Sequence, residues 1–241
     1  MNATMPLTMP PGWDQLDQSD LQAVLRFAVK QFHPKLALAS SFGLEDVALI
    51  HALLQVTPDA RVFALDTGRL PEETYECAEA IRQRYGINIH WYFPDSGAVE
   101  RLEREKGILS FRESVENRVE CCGIRKVEPL NRALADQTAW ITGQRREQSV
   151  TRLSLNVLEP DGAHGGIWKF NPLAEWTLDD VWHYVRQNDI PYNTLHDAGY
   201  PSIGCAPCTR AIEPGEDQRA GRWWWETPEH KECGLHNRNN G

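Results

Sequence analysis

Positive charge is in short supply: 25 Lys and Arg stand against 34 Asp and Glu, for a formal net charge of −9. A general nucleic-acid binder is excluded, because such a chain needs surplus cations to neutralise phosphates. Any anionic ligand must be met by a local group of Lys and Arg. Long apolar runs are also missing, and none approaches the roughly 18 residues of a membrane span. Met1 to Gly12 has neither the basic stretch nor the apolar core of a secretory signal. The expectation is a cytoplasmic protein. Internal repeats are absent, and low complexity is confined to the tail Asn237–Gly241. Six cysteines then call for explanation, since thiols in a reducing compartment serve metal binding or catalysis rather than structural disulfides.

What is present reads as one α/β domain over 1–241, with a helical lead-in over 1–34. Hydrophobic content of 41% is ordinary for a globular chain, and the length supports an ample core. Residues 13–32 carry apolar positions at helical spacing (Leu16, Leu21, Val24, Leu25, Ala28), and Pro34 ends that helix. Short apolar strands are expected at Leu36–Ala39, Val62–Leu65, Ile87–Phe93, Ala139–Thr142 and Ile167–Asn171. Helices are expected over Leu44–Leu54, Pro71–Tyr85, Ala98–Lys106, Arg125–Ala135 and from the Thr177 cap to Gln187. Pro71 should be the first helical residue, and Asp161–Gly166 reads as a loop. Strand alternating with helix predicts a doubly wound, largely parallel sheet whose ligands lie beyond the carboxyl ends of the strands.

Three candidate binding segments fall at such ends: Ser40-Ser-Phe-Gly43, Asp66-Thr-Gly68, and Gly143 with Arg145, Arg146 and Arg152. A strand running through a small-residue turn into a helix presents backbone N–H groups to an anion. Each turn alone is a common α/β feature; their convergence carries the weight.

Four cysteines form two pairs, Cys121-Cys122 and Cys205-Ala-Pro-Cys208. Structural zinc uses pairs spaced by two to four residues, so vicinal cysteines suit it poorly. Four thiolates without an intervening histidine suit an iron–sulfur cluster better, although spacing leaves zinc open. Cys77, on a predicted helix, reads as packing. Cys233 stands alone on a polar tail.

The segments Cys121-Cys-Gly-Ile-Arg-Lys-Val-Glu-Pro-Leu130, Gly204-Cys-Ala-Pro-Cys208 and Glu232-Cys-Gly-Leu-His236 together resemble the bacterial assimilatory adenylyl-sulfate (APS) reductase family. The likeness extends over Ser40–Gly43, Leu65-Asp-Thr-Gly68, Gly143-Gln-Arg-Arg-Glu147 and Asn171-Pro-Leu173, covering nearly the whole chain after residue 35. The resemblance implies an adenine nucleotide alpha hydrolase-like (PP-loop) fold. It also implies one 4Fe-4S cluster on Cys121, Cys122, Cys205 and Cys208, and thioredoxin-dependent reduction of APS to sulfite and AMP.

In that reading Cys233 attacks the substrate sulfur and carries it as an S-sulfocysteine, on a mobile arm from about residue 223. The substrate would be bound by Ser40, Ser41, Phe42, Gly43, Leu65, Asp66, Thr67, Gly68, Lys126, Gly143, Arg145, Arg146, Arg219, Arg222 and His236. Ser40–Gly43 would hold the phosphosulfate and the Asp66–Gly68 turn would contact adenosine. Guanidinium forks suit sulfate and phosphate oxygens. Trp223–Trp225 cannot all face inward on one element.

Three other readings remain. One is reduction of the 3′-phosphorylated substrate. Another is a PP-loop ATP pyrophosphatase, disfavoured because Phe42 puts bulk where a phosphate loop wants glycine. The third is a non-catalytic iron–sulfur or zinc sensor, which leaves the arginine groups unexplained. A homo-oligomer is compatible with the sequence, which does not fix the oligomeric state.

Overall fold

The computed structural model describes residues 8–149, 152–227 and 234–235. Its centre is a six-stranded sheet in the order β3-β2-β1-β4-β6-β5. The strands are β1 (Leu36–Ser40), β2 (Arg61–Leu65), β3 (Ile89–Tyr92), β4 (Ala139–Ile141), β5 (Leu158–Asp161) and β6 (Ile167–Phe170). All neighbours pair in parallel except β5, which runs antiparallel along the β6 edge. The doubly wound, largely parallel sheet expected from the alternation is therefore present. Sequence reading omits β5, whose Leu-Glu-Pro-Asp run lacks a strand pattern. Its Pro160 is tolerated because an edge strand needs no N–H on its outer side.

Period-2 alternation places the core on both faces of the sheet. Leu36, Leu38, Val62, Ala64, Ala139 and Ile141 point into the larger cluster, with α1 (Leu21–Phe32), α2 (Leu44–Leu54), α3 (Glu72–Tyr85) and α7 (Leu178–Gln187). Ala37, Phe63 and Trp140 point the other way, onto Leu130, Ala133 and Leu134 of α6 (Glu128–Leu134). A third cluster gathers Leu102 of α4 (Ser96–Lys106) and Phe111 with Trp223 and Cys121, Cys122, Cys205 and Cys208.

Helix ends follow local chemistry, with some departures from expectation. The leading helix starts only at Leu21, because Asp20 caps it by accepting from the Gln22 and Ala23 N–H groups. Trp13–Gln15 is a separate short turn. Pro71 is the cap of α3 rather than its first residue. The Thr177–Asp180 pair forms a reciprocal capping box at α7.

The largest departure lies before the vicinal cysteines, where a polar stretch folds as α5 (Val115–Cys122). It continues through a widened π turn, Gly123–Val127, into α6. Pro129 is therefore internal to a continuous helical path, directly after the widened π turn, the kind of ladder irregularity at which a helix tolerates proline.

Candidate functional site

Strand order reverses between β1 and β4, and a cleft of about 230 Å³ opens at their carboxyl ends. This is where a doubly wound sheet leaves room for a ligand. Ser40–Gly43 forms its floor between β1 and α2. Asp46, in the first turn of α2, accepts from the Ser41 backbone N–H at 2.6 Å and from its hydroxyl at 2.7 Å. Phe42 turns the chain at φ 57, in the left-handed region, with its ring buried against Trp91. The loop thus bends without glycine at its tightest point. Gly143 closes the next strand end, and a Cβ there would lie 2.5 Å from Asp46 Oδ1 and 2.9 Å from Glu45 Cβ. Burial pushes the Asp46 carboxyl up to about 6, against the Ser41 hydrogen bonds that favour its charged form.

Of the expected substrate residues, Ser40, Ser41, Phe42, Gly43, Leu65, Thr67, Lys126, Gly143, Arg219 and Arg222 line this one cleft. Asp66 and Gly68 do not. Asp66 instead accepts from the Tyr75 hydroxyl and the Gly68 N–H, while Thr67 Oγ1 lies 3.2 Å from Cys205 Sγ. The turn after β2 therefore faces the cysteines as much as the cleft. Arg145 does not line it either. Its buried guanidinium donates to Glu45 at 2.8 Å and Glu147 at 2.7 Å, and reaches Trp176 O and Gln218. Two carboxylates already compensate that charge. Arg146 likewise points away, donating to Leu155 O and pairing with Glu175. Cys233 and His236 lie outside the described residues. Leu235, two positions beyond Cys233, lines the cleft and packs on the Phe63–Leu130–Trp140 cluster.

Other polar residues join the lining: Gln144 and Arg152 from the Gly143–Arg152 segment, and Gln148, His196 and Ser202, which sequence reading does not single out. Gln144 Oε1 and His196 Nε2 are buried without a hydrogen-bond partner, and Gln148, Arg152 and Ser202 complete the polar wall. Burial holds His196 below the ordinary imidazole range. His196 and Ser202 come from loops about 50 residues beyond the Gly143–Arg152 segment, so only the fold brings them to it.

Beside the cleft, Cys121 and Cys122 on the last turn of α5 meet Cys205 and Cys208 around a small void of about 10 Å³. All four are free thiols. Arg69, Arg118, Arg125 and Lys126 line the same void, as does Trp223. Arg125 is braced by Thr67 O at 2.7 Å and Glu103 at 2.6 Å. Lys126, displaced by the π turn, lines both the void and the cleft.

Burial pushes Cys208 up to about 11, helped by Cys205, and it also raises Cys121. At Cys205 burial is outweighed by Lys126, the Thr67 hydroxyl, Arg222 and Arg69, and the thiol falls below its usual value. Among the described residues no group of three or more His, Cys, Asp or Glu is arranged to hold a metal ion. The four thiols line one small void in a cationic shell, a donor set whose chemistry suits a thiolate-ligated, anionic group. Cys77, by contrast, is buried under the cleft floor with its thiol 4.0 Å from Phe42 O, a packing position.

Of the expected arm from 223, the described part begins inside the protein. Trp223 is buried, Trp225 packs on Phe111, and Trp224 is exposed. No helix among the described residues is long and apolar enough to cross a membrane.

Residues 35–211 match the phosphoadenosine phosphosulfate reductase domain family. A Burkholderia cepacia protein named adenosine 5′-phosphosulfate reductase is 57% identical over 85% of this chain and 81% of its own length. Phosphoadenylyl-sulfate reductase from Candida auris, solved as a phosphate complex, superposes with a TM-score of 0.69 at 29% identity, covering 86% of this chain and all of that one. FMN adenylyltransferase from Candida glabrata shares the fold alone, with a TM-score of 0.56 at 14% identity over 92% of this chain and 72% of that one. With the family match spanning most of the sheet and both cysteine pairs, the chain belongs to the phosphoadenosine phosphosulfate reductase family, on the branch of the bacterial adenosine 5′-phosphosulfate reductases.

Proposed function

We propose that this enzyme reduces adenosine 5′-phosphosulfate to sulfite and AMP in assimilatory sulfate reduction, with Cys233 as nucleophile and a thioredoxin-type dithiol protein as reductant. The single observation that carries the reading is the cleft itself. Lys126, Arg219 and Arg222 line it together with Leu235, two residues from the lone Cys233.

In the first step the Cys233 thiolate attacks the sulfate sulfur. A new S–S bond forms, the S–O bond to the phosphate breaks, and AMP leaves with the electron pair. Lys126, Arg219 and Arg222 stabilise the charge that builds on the leaving phosphate. In the second step a partner thiolate attacks Cys233 Sγ and releases sulfite, and the partner's second thiol then frees Cys233 as thiolate. The dithiol becomes a disulfide and supplies both electrons. The Ser41 and Phe42 N–H groups are taken by Asp46 and Ser40, so the phosphate would be met by the N-terminal end of α2 beyond Gly43. The Gln144 and His196 side offers polar atoms to the nucleoside.

Cys121, Cys122, Cys205 and Cys208 would hold a 4Fe-4S cluster, as their convergence on one cation-lined void suggests. When bound, it supplies a rigid, negatively charged centre beside Lys126; the two-electron chemistry needs no metal redox step. The vicinal pair Cys121-Cys122 lacks the two-to-four-residue spacing usual in structural zinc sites, which supports the cluster over zinc.

Comparing kcat/KM for APS and for its 3′-phosphorylated form, with thioredoxin as reductant, tests the reading. Preference for APS is expected. Preference for the 3′-phosphate would move the chain to the other branch, the activity named for the Candida auris neighbour.

A further inference from the structure

Two guanidinium groups lie over the indole of Trp223, with Arg118 Cζ and Arg222 Cζ each 4.7 Å from the ring centroid. Arg118 is bound by Glu226 through two hydrogen bonds, 2.9 Å from Nε and 2.7 Å from Nη2. Arg222 is held differently. Its Nη1 donates to Ser202 Oγ at 3.3 Å and Ile203 O at 3.1 Å, both neutral acceptors. Gly204 presses on the same guanidinium, since a Cβ built there would lie 2.3 Å from Nη2 and 2.5 Å from Cζ. Arg222 therefore sits in a slot made of an indole, a bare glycine backbone and two oxygen acceptors.

The slot is held at some conformational cost. Trp223 has φ 40, a region that bulky residues avoid. The Trp223 N–H donates to Cys208 O at 3.1 Å, and its carbonyl accepts from the Glu226 N–H at 2.8 Å. Strain kept in place by surrounding bonds is a sign of selected geometry. Both Arg222 and Trp223 line the cleft.

We infer that Trp223, together with Gly204, is a positioning residue for APS reduction: the slot fixes the Arg222 guanidinium so that it meets the phosphosulfate in one orientation. This rests on the reading above, in which Arg222 binds the anion. A long arginine otherwise samples many rotamers, and a bidentate contact rewards a fork that is already aligned. The indole is suited to the task because its face attracts a cation and fixes its plane without contributing a negative charge of its own.

The test is a double-mutant cycle on the full chain, with Trp223→Leu, Trp223→Phe, Arg222→Ala and the Arg222→Ala/Trp223→Leu pair. APS turnover and calorimetric AMP binding are both read, since AMP carries the phosphate that Arg222 would hold. Trp223→Leu should lower kcat/KM and AMP affinity about tenfold, while Trp223→Phe, which keeps an aromatic face, should stay within about threefold of wild type. In the Arg222→Ala background, Trp223→Leu should cost less than about twofold more. Should Trp223→Leu fail to fold, Gly204→Ala attacks the slot from the other side and is expected to show the same non-additivity with Arg222→Ala.

Wild-type behaviour of Trp223→Leu, or a loss that multiplies undiminished onto that of Arg222→Ala, would overturn the inference. If the wild-type protein makes no sulfite from APS, the proposed function fails while the AMP cycle still judges the slot.

Discussion

Arg118 and Glu226, 108 residues apart, form a two-point ion pair whose side chains are 1% and 3% exposed. It ties the helix that ends in Cys121-Cys122 to the stretch that follows Trp223–Trp225. The cation-bearing loop with Arg219 and Arg222 is thereby fastened to the first cysteine pair. Replacing Glu226 with Ala would strand a buried guanidinium, at a cost of about 3–5 kcal/mol. Chemical denaturation measures this, with Glu226→Gln expected between the two. A loss below about 1 kcal/mol would show the pair to be solvated.

Asp46 ties stability to pH through the floor of the cleft. Its carboxyl, raised to about 6 by burial, holds its proton more tightly folded than unfolded. Such a group adds stability that is complete at low pH, below its unfolded value, and is lost as pH rises through about 6. Wild-type stability relative to Asp46→Asn should therefore fall by about 2–3 kcal/mol between pH 4 and 7. Denaturation curves across that range check the sign, and parallel pH profiles would contradict it.

Gly143 permits the close approach of β4 to the start of α2. Gly143→Ala drives a methyl into Asp46 and Glu45, so a destabilisation of about 1–3 kcal/mol is expected. KM for APS should rise as well, because the Ser41 loop hangs on Asp46. Thermal melts and steady-state kinetics read the two effects separately. A variant with unchanged melting temperature would show that the backbone can yield here.

Much of the fold is legible in the sequence because its strands are short apolar runs and its helices carry apolar stripes or capping signals. Leu36–Ser40 and Arg61–Leu65 bury alternate residues on opposite faces, and apolar runs of this kind are what sequence reading recognises. β5 escapes because Glu159 and Pro160 owe their strand form to pairing with β6. α5 escapes because only Val115, Val119, Cys121 and Cys122 of its eight residues are apolar, a weak stripe that tertiary contacts of the cysteines complete.

At the site, the cleft segments can be read as strand ends, whereas the surroundings of single arginines cannot. Arg145 and Arg222 look alike in sequence. Only the fold brings Glu45, 100 residues distant, onto Arg145, and Gly204 onto Arg222. The unpartnered atoms of Gln144 and His196 have no sequence signature for the same reason.

The cysteine void yields a prediction about metal. Protein purified without air should contain iron and acid-labile sulfide in equal amounts and absorb visible light through thiolate-to-iron charge transfer. Cys205→Ser should lose both signals. Stoichiometric zinc without sulfide would contradict the cluster.

The most direct test concerns Cys233. Wild-type protein mixed with APS in the absence of air and reductant, then weighed intact, should gain a single SO₃ group. The adduct should vanish on adding reduced thioredoxin, with sulfite released, and it should never form in Cys233→Ser. Active wild-type protein that carries no adduct, or a Cys233→Ser variant that still makes sulfite, would contradict the account.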